Sequence, residues 1–172
     1  MKILTTIALL SFSLTCSAQS KLGDYILSAD FSPSFGVKES KLIIKRKLDY
    51  GVIELKVYKS GNFLFLDDTA KINTADLKKV TDFLHLNQLK LYPTQKIRKK
   101  NKNLPVLTGF DGIYIDLDFD NRGKKATRHL WSPSKESDEG RLMTILFSMM
   151  QNYFKDDDNA VDYLKQLKEF LD

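Results

Sequence analysis

Three carboxylates at alternate positions, Asp116, Asp118 and Asp120, form the run that most invites a calcium reading. Hard cations such as calcium take oxygen ligands, and alternating acidic residues open the loop of an EF-hand. That loop needs Gly at its sixth position and Glu at its twelfth. Counted from Asp116, those positions hold Asn121 and Thr127. Leu117 and Phe119, between the aspartates, suit a strand. The run is therefore expected to be the wet face of a hairpin. Asp116, Asp118 and Asp120 stay weak candidates for a surface cation, and no metal is assigned.

The other chemistry-bearing residues are sparse. His85 and His129 are the only histidines. A zinc centre would need both to converge with a carboxylate such as Asp116, and nothing in their spacing suggests it. Ser132 or Ser134 with His129 and an aspartate has the composition of a hydrolytic triad. No G-x-S-x-G elbow accompanies it, and a serine beside Pro133 reads as a turn or cap. Paired carboxylates for glycoside cleavage would have to come from residues that spacing does not single out. No G-x-x-x-x-G-K-[ST] or G-x-G-x-x-G run is present, so no phosphate cradle and no cofactor are expected. Five cations, Lys96, Arg98, Lys99, Lys100 and Lys102, form a basic segment without interleaved aromatics, which argues against nucleic acid. They and Trp131, the only tryptophan, are the candidate binding residues. Trp is a frequent anchor at interfaces, although one at a strand end more often caps a core.

These residues sit behind a leader. Met1-Lys2 is a short positive start, Ile3 to Leu14 is mostly apolar, and Cys16-Ser17-Ala18 supplies small residues. The segment resembles a Sec-type bacterial signal peptide cut after Ala18, and it is short for a membrane span. A periplasmic or secreted location is expected. The alternative is a lipid anchor on Cys16, although Ser13 and Thr15 depart from the usual lipoprotein pattern before the cysteine. Cleavage leaves 154 of the 172 residues, a single domain over 19–172 with no thiol and so no disulfide. The formal charge falls from +5 to about +4 with Lys2. That mild excess, with further basic segments at 41–47 and 124–128, suits a solvated surface or an anionic envelope polymer.

Hydrophobic periodicity supplies the elements. A short strand is expected at Tyr25 to Ser28, followed by a turn-rich loop through Ser32-Pro33-Ser34-Phe35-Gly36. Leu42, Ile43 and Ile44 open the next strand, and Asp49-Tyr50-Gly51 reads as a turn. Ile53, Leu55 and Val57 alternate with Glu54, Lys56 and Tyr58, the period of a half-buried strand. Ser60-Gly61-Asn62 reads as a hairpin turn before Phe63-Leu64-Phe65-Leu66, an apolar run expected to be covered on both faces. A helix is expected over 74–89, capped by Asn73 or Thr74, and a loop over 93–109.

Ile113, Ile115, Leu117 and Phe119 alternate with Tyr114, Asp116, Asp118 and Asp120 in the clearest hairpin, turning at 120–123. A three-residue loop pairs Asp116 with Arg128 and Asp120 with Lys124; a two-residue loop pairs Asp118 with Lys125. Leu142, Ile145, Leu146, Met149 and Tyr153, with Met143, Phe147, Met150 and Phe154, make a helix apolar on two sides and therefore central, with Ser134 or Ser137 as its cap. Val161, Leu164, Leu167 and Leu171 stripe a last helix. Hairpins separated by helices, without a repeated β-α-β spacing, predict an α+β fold. Its antiparallel sheet has about five or six strands, a meander plus a hairpin, with helices on one face.

The expected function is an exported, non-enzymatic binding module, inhibitor- or immunity-like. It would contact an envelope protein or anionic polymer through a sheet face or the segment 96–102. A small envelope hydrolase using unidentified carboxylates is the alternative.

Overall fold

Strands form where apolar residues recur at every second position. A computed structural model describes residues 24–34, 37–48, 50–59, 63–86 and 112–171. Among them are six strands: β1 (Tyr25–Pro33), β2 (Ser40–Lys47), β3 (Tyr50–Lys59), β4 (Phe63–Ile72), β5 (Ile113–Asn121) and β6 (Lys124–Trp131). Three helices accompany them: α1 (Thr74–Leu86) after β4, then α2 (Asp138–Tyr153) and α3 (Asp158–Leu171) at the end. The strands join in the order β4-β3-β2-β1-β5-β6, every neighbouring pair antiparallel. The fold is α+β, as the periodicity predicts.

Alternation then divides the sheet. Leu27, Ala29, Phe31, Leu42, Ile44, Ile53, Leu55, Val57, Ile113, Ile115 and Leu117 are buried in one core with all three helices. Burying a Leu, Ile or Phe side chain is worth about 1.5–3 kcal/mol, so this apolar face holds the helices in place. α2 is the central helix, packed between α1 and α3 and burying Leu142, Met143, Leu146, Phe147, Met149 and Met150. Among the described residues no helix is long and apolar enough to cross a membrane.

Helix starts follow capping chemistry. Asn73 Oδ1 accepts the Asp76 amide at 2.8 Å, and Asn73 Nδ2 donates to the Asp76 carboxylate at 2.9 Å. Ser137 caps α2 by accepting the Gly140 amide at 3.0 Å. Ser134 serves from outside the helix, its carbonyl accepting the Ser137 amide.

Five expectations need correction. β1 runs on to Pro33: β2 pairs with it as far as Phe31, and β5 carries it further, with Ser32 and Pro33 facing Tyr114 and Ile113. Tyr50 and Gly51 belong to β3, paired with Lys47 and Arg46, so the chain reverses before them. Gly51 serves packing instead: a Cβ there would lie 2.9 Å from Leu77 Cδ1 of α1. The run Phe63 to Leu66 is not covered on both faces. β4 is an edge strand with a register shift at Val57/Tyr58, and Phe63 and Leu64 are exposed while Leu66 is buried.

The β5–β6 register differs from both alternatives. The turn is Arg122-Gly123, with φ of 51° and 83°, and Asn121 faces Lys124. Positive φ at both central residues is what a type I′ hairpin turn requires. Asp120 therefore faces Lys125, Asp118 faces Thr127 and Asp116 faces His129. The α3 stripe departs at its start only: Leu164 and Leu167 are buried and Leu171 packs on the core as expected, while Ala160 and Tyr163 are buried and Val161 is only half-buried. The turn 60–62, the residues 87–89 and the loop 93–109 lie outside the described residues.

Candidate functional site

With the helices on one face, the other face of the sheet is left open, and strand register sets its pattern. One row across it reads Asp67, Lys56, Lys41, Asp30, Asp116 and His129. Like charges stand side by side at Lys56/Lys41 and at Asp30/Asp116, and each side chain has a polar partner on an adjoining strand. Lys56 meets Asp67 at 3.3 Å, Lys41 meets Asp30 at 2.8 Å, and His129 Nδ1 meets Asp116 Oδ1 at 2.5 Å. In the neighbouring rows Lys45 pairs with Glu54 at 2.5 Å, Lys125 approaches Asp120 at 3.9 Å, and Thr127 donates to Asp118 at 2.5 Å. Pairs this exposed are each worth under about 1 kcal/mol of stability. Their larger effect is to neutralise the face.

The end row has a different chemistry. Ser32, Tyr114 and Trp131 face one another on β1, β5 and β6. Tyr114 is 40% exposed and Trp131 46%. Tyr114 stacks on the His129 ring, with centroids 6.3 Å apart and planes inclined by 22°. The Tyr114 phenol is held above its usual range, first by partial burial and then by Asp116. It therefore stays protonated at neutral pH, with a hydrogen to donate.

The indole is placed by an absence of side chain. A Cβ on Gly112 would lie 2.6 Å from Trp131 Cζ2, so glycine lets the ring approach the neighbouring backbone. The strand ends around it are pinned. Ser132 N donates to the Ile113 carbonyl at 2.9 Å, Ser132 Oγ accepts the Ile113 amide at 3.0 Å, and Ser34 Oγ accepts the Gly112 amide at 2.8 Å. At the far end of this row, Tyr58 faces the exposed Leu64.

Two concavities flank these features. One of about 460 Å³, at the opposite end of the sheet, is lined by Lys45, Lys47 and Arg122, by Asp24 and Asp120, and by Ile26. Its carboxylates are engaged: Asp24 accepts the Leu48 amide and Asp120 the Gly123 amide, both at 2.8 Å. The other, about 380 Å³, is a groove between α1 and α2 holding Asp76, Lys79, Thr144, Ser148 and Asn152. Here the Lys79 ammonium, 2.7 Å away, leads in holding the Asp76 carboxyl below its usual range, helped by Asn73 and Tyr153. Tyr153 donates to Asp76 at 3.1 Å and accepts the Asn73 amide at 2.8 Å. A carboxylate so fully engaged is a structural clasp between helices. General acid–base work favours a pKa near the operating pH.

The candidate residues of the sequence separate accordingly. Trp131 lies on the open face at the end of an edge strand. Lys96, Arg98, Lys99, Lys100 and Lys102 lie outside the described residues. Asp116, Asp118 and Asp120 are strung along β5, each occupied by a different neighbour. No group of three or more His, Cys, Asp or Glu suited to a metal occurs among the described residues. His129 is on the open face, whereas His85 is exposed on α1 across the sheet, so the two do not converge. For Tyr114 the sequence offers only its alternation with the three aspartates, and for Gly112 it offers no functional signal. Compared with known families and with curated proteins, the chain matches no family model and no characterised sequence.

Proposed function

We propose that this chain is an exported, non-enzymatic binding module whose contact surface is the open face of its sheet. One observation carries the reading. Of the seven large exposed apolar residues among those described, Ile26, Tyr50, Leu64, Tyr114 and Trp131 lie by strand alternation on the open face, Leu48 and Phe63 sit at a turn and at the start of an edge strand, and none belongs to a helix. Exposed apolar surface gathered on one face marks a contact site. The leader directs the module to the periplasm or the exterior, where an envelope protein or polymer is its partner. The basic segment Lys96 to Lys102 offers a second point of attachment.

Pull-down with the purified protein from envelope extract tests this. A stoichiometric partner should be retained by wild type and lost by Tyr114→Ala/Trp131→Ala. Loss on Lys99→Glu/Lys100→Glu alone would move the contact to the basic segment, and capture indifferent to the open-face change would refute the reading. Mass spectrometry of the native protein should find the chain beginning after Ala18.

A further inference from the structure

We infer that the corner of the open face built by Tyr114 and Trp131 binds a neutral glycan, with pyranose rings stacked on the two aromatic side chains. This rests on the binding-module reading above and names the class of partner.

Charge selects the class. The polar groups around the corner already have partners: Asp116 shares a hydrogen bond with His129, and Asp30 an ion pair with Lys41. A polyanion or a basic peptide would have to break those pairs to gain its own. An uncharged polyhydroxylated chain need not, because paired carboxylates and ammonium groups still offer lone pairs and N–H groups to hydroxyls. Charge-assisted hydrogen bonds of that kind are the stronger ones.

Shape agrees. One face of a pyranose ring is mostly C–H, and a flat, half-exposed aromatic ring is its complement. Tyr and Trp provide such area at a small conformational cost. Both rings are held before any ligand arrives, Tyr114 against His129 and Trp131 over Gly112. Preorganisation lowers the entropy lost on binding. The two stand on adjacent strands, about 4.8 Å apart, a separation close to the length of one sugar ring. The row continues through Ser32 on β1 and ends at Tyr58 and Leu64 on β3 and β4, so an oligomer crossing the strands meets polar groups and then a third aromatic.

Trp131 is the chain's only tryptophan, so its emission reports directly on the corner. The experiment titrates the full chain with chitotetraose, cellotetraose and maltotetraose into the millimolar range, following fluorescence and, in parallel, calorimetry. At least one oligomer should shift or quench the emission saturably. Tyr114→Ala should raise its Kd at least tenfold. By calorimetry Trp131→Phe should keep Kd within about threefold while Trp131→Ala raises it tenfold or more, and thermal melts should confirm that each variant folds. Silence with all three oligomers overturns the inference, as does binding that Tyr114→Ala alters less than twofold. A response to polyglutamate with none to the oligomers overturns it too. If the oligomers fail but an envelope protein is still captured in a Tyr114- and Trp131-dependent way, only the glycan assignment falls; if that capture fails as well, the module reading falls with it.

Discussion

Replacing Tyr163 by Phe should loosen a buried hydrogen bond that joins α3 to β2, the one that spans the most sequence among the described residues. Tyr163 on α3 and Ser40 at the start of β2 are each 2% exposed, and the phenol donates to Ser40 Oγ at 2.5 Å across 123 residues of sequence. Phe keeps the ring and its packing but strands a buried serine hydroxyl. Losing the bond and leaving its partner unsatisfied costs about 1–3 kcal/mol. For a chain of this size, about 2 kcal/mol lowers the melting temperature by roughly 4–8 °C. Removing both polar groups, in Tyr163→Phe/Ser40→Ala, should recover part of the loss, since apolar replacement of both partners can be nearly neutral. Urea and thermal unfolding of the four proteins form a double-mutant cycle, with an expected coupling of about 0.5–3 kcal/mol. Burial also pushes the Tyr163 phenol well above its ordinary value. The unfolded chain loses that proton first, so wild type should lose stability as pH rises past about 10. The difference between wild type and Tyr163→Phe should therefore shrink there. Strictly additive substitutions, or a Tyr163→Phe melt indistinguishable from wild type, would refute the reasoning.

The helix clasp makes a prediction of opposite sign in pH. Asp76→Asn should destabilise by about 1–2 kcal/mol at neutral pH. Because folding lowers the Asp76 pKa, the wild-type advantage is full above the ordinary carboxyl value and is lost as pH falls through the lower folded one; denaturant melts between pH 7 and 2 check this. Two glycines should separate by mechanism. Gly140→Ala puts a Cβ 1.9 Å from the Ser134 carbonyl oxygen and should cost more than about 3 kcal/mol. Gly123→Ala meets no atom within 4 Å and should cost only about 1 kcal/mol, from its φ of +83°. Unfolding free energies of the two variants decide. Arg128 of β6 pairs with Glu139 in the first turn of α2, both side chains 23% exposed. Glu139→Gln should cost about 1–2 kcal/mol and make unfolding less salt-dependent, read from melts at low and high ionic strength.

Sequence by itself determined which residues face the core. Period two places Ile53, Leu55 and Val57, and then Ile113, Ile115 and Leu117, on one side of their strands, and the chain has few other places to bury them. The doubly apolar run from Leu142 to Phe154 determines a central helix by the same reasoning. These are local consequences of how side chains alternate along a strand or recur around a helix. Only tertiary structure decided what stands next to what. β1 persists to Pro33 because β5 pairs with it beyond the end of β2, and Phe63 and Leu64 are exposed because β4 is an edge. Register across β5–β6 decided that Asp116 meets His129 and that Tyr114 meets Trp131. It depends on a turn whose two central residues both take positive φ, and a shift of one residue in pairing would have given every side chain of that ladder a different partner. The candidate site is made of such cross-strand neighbours, so it arises from sheet pairing, a long-range interaction that local periodicity does not encode.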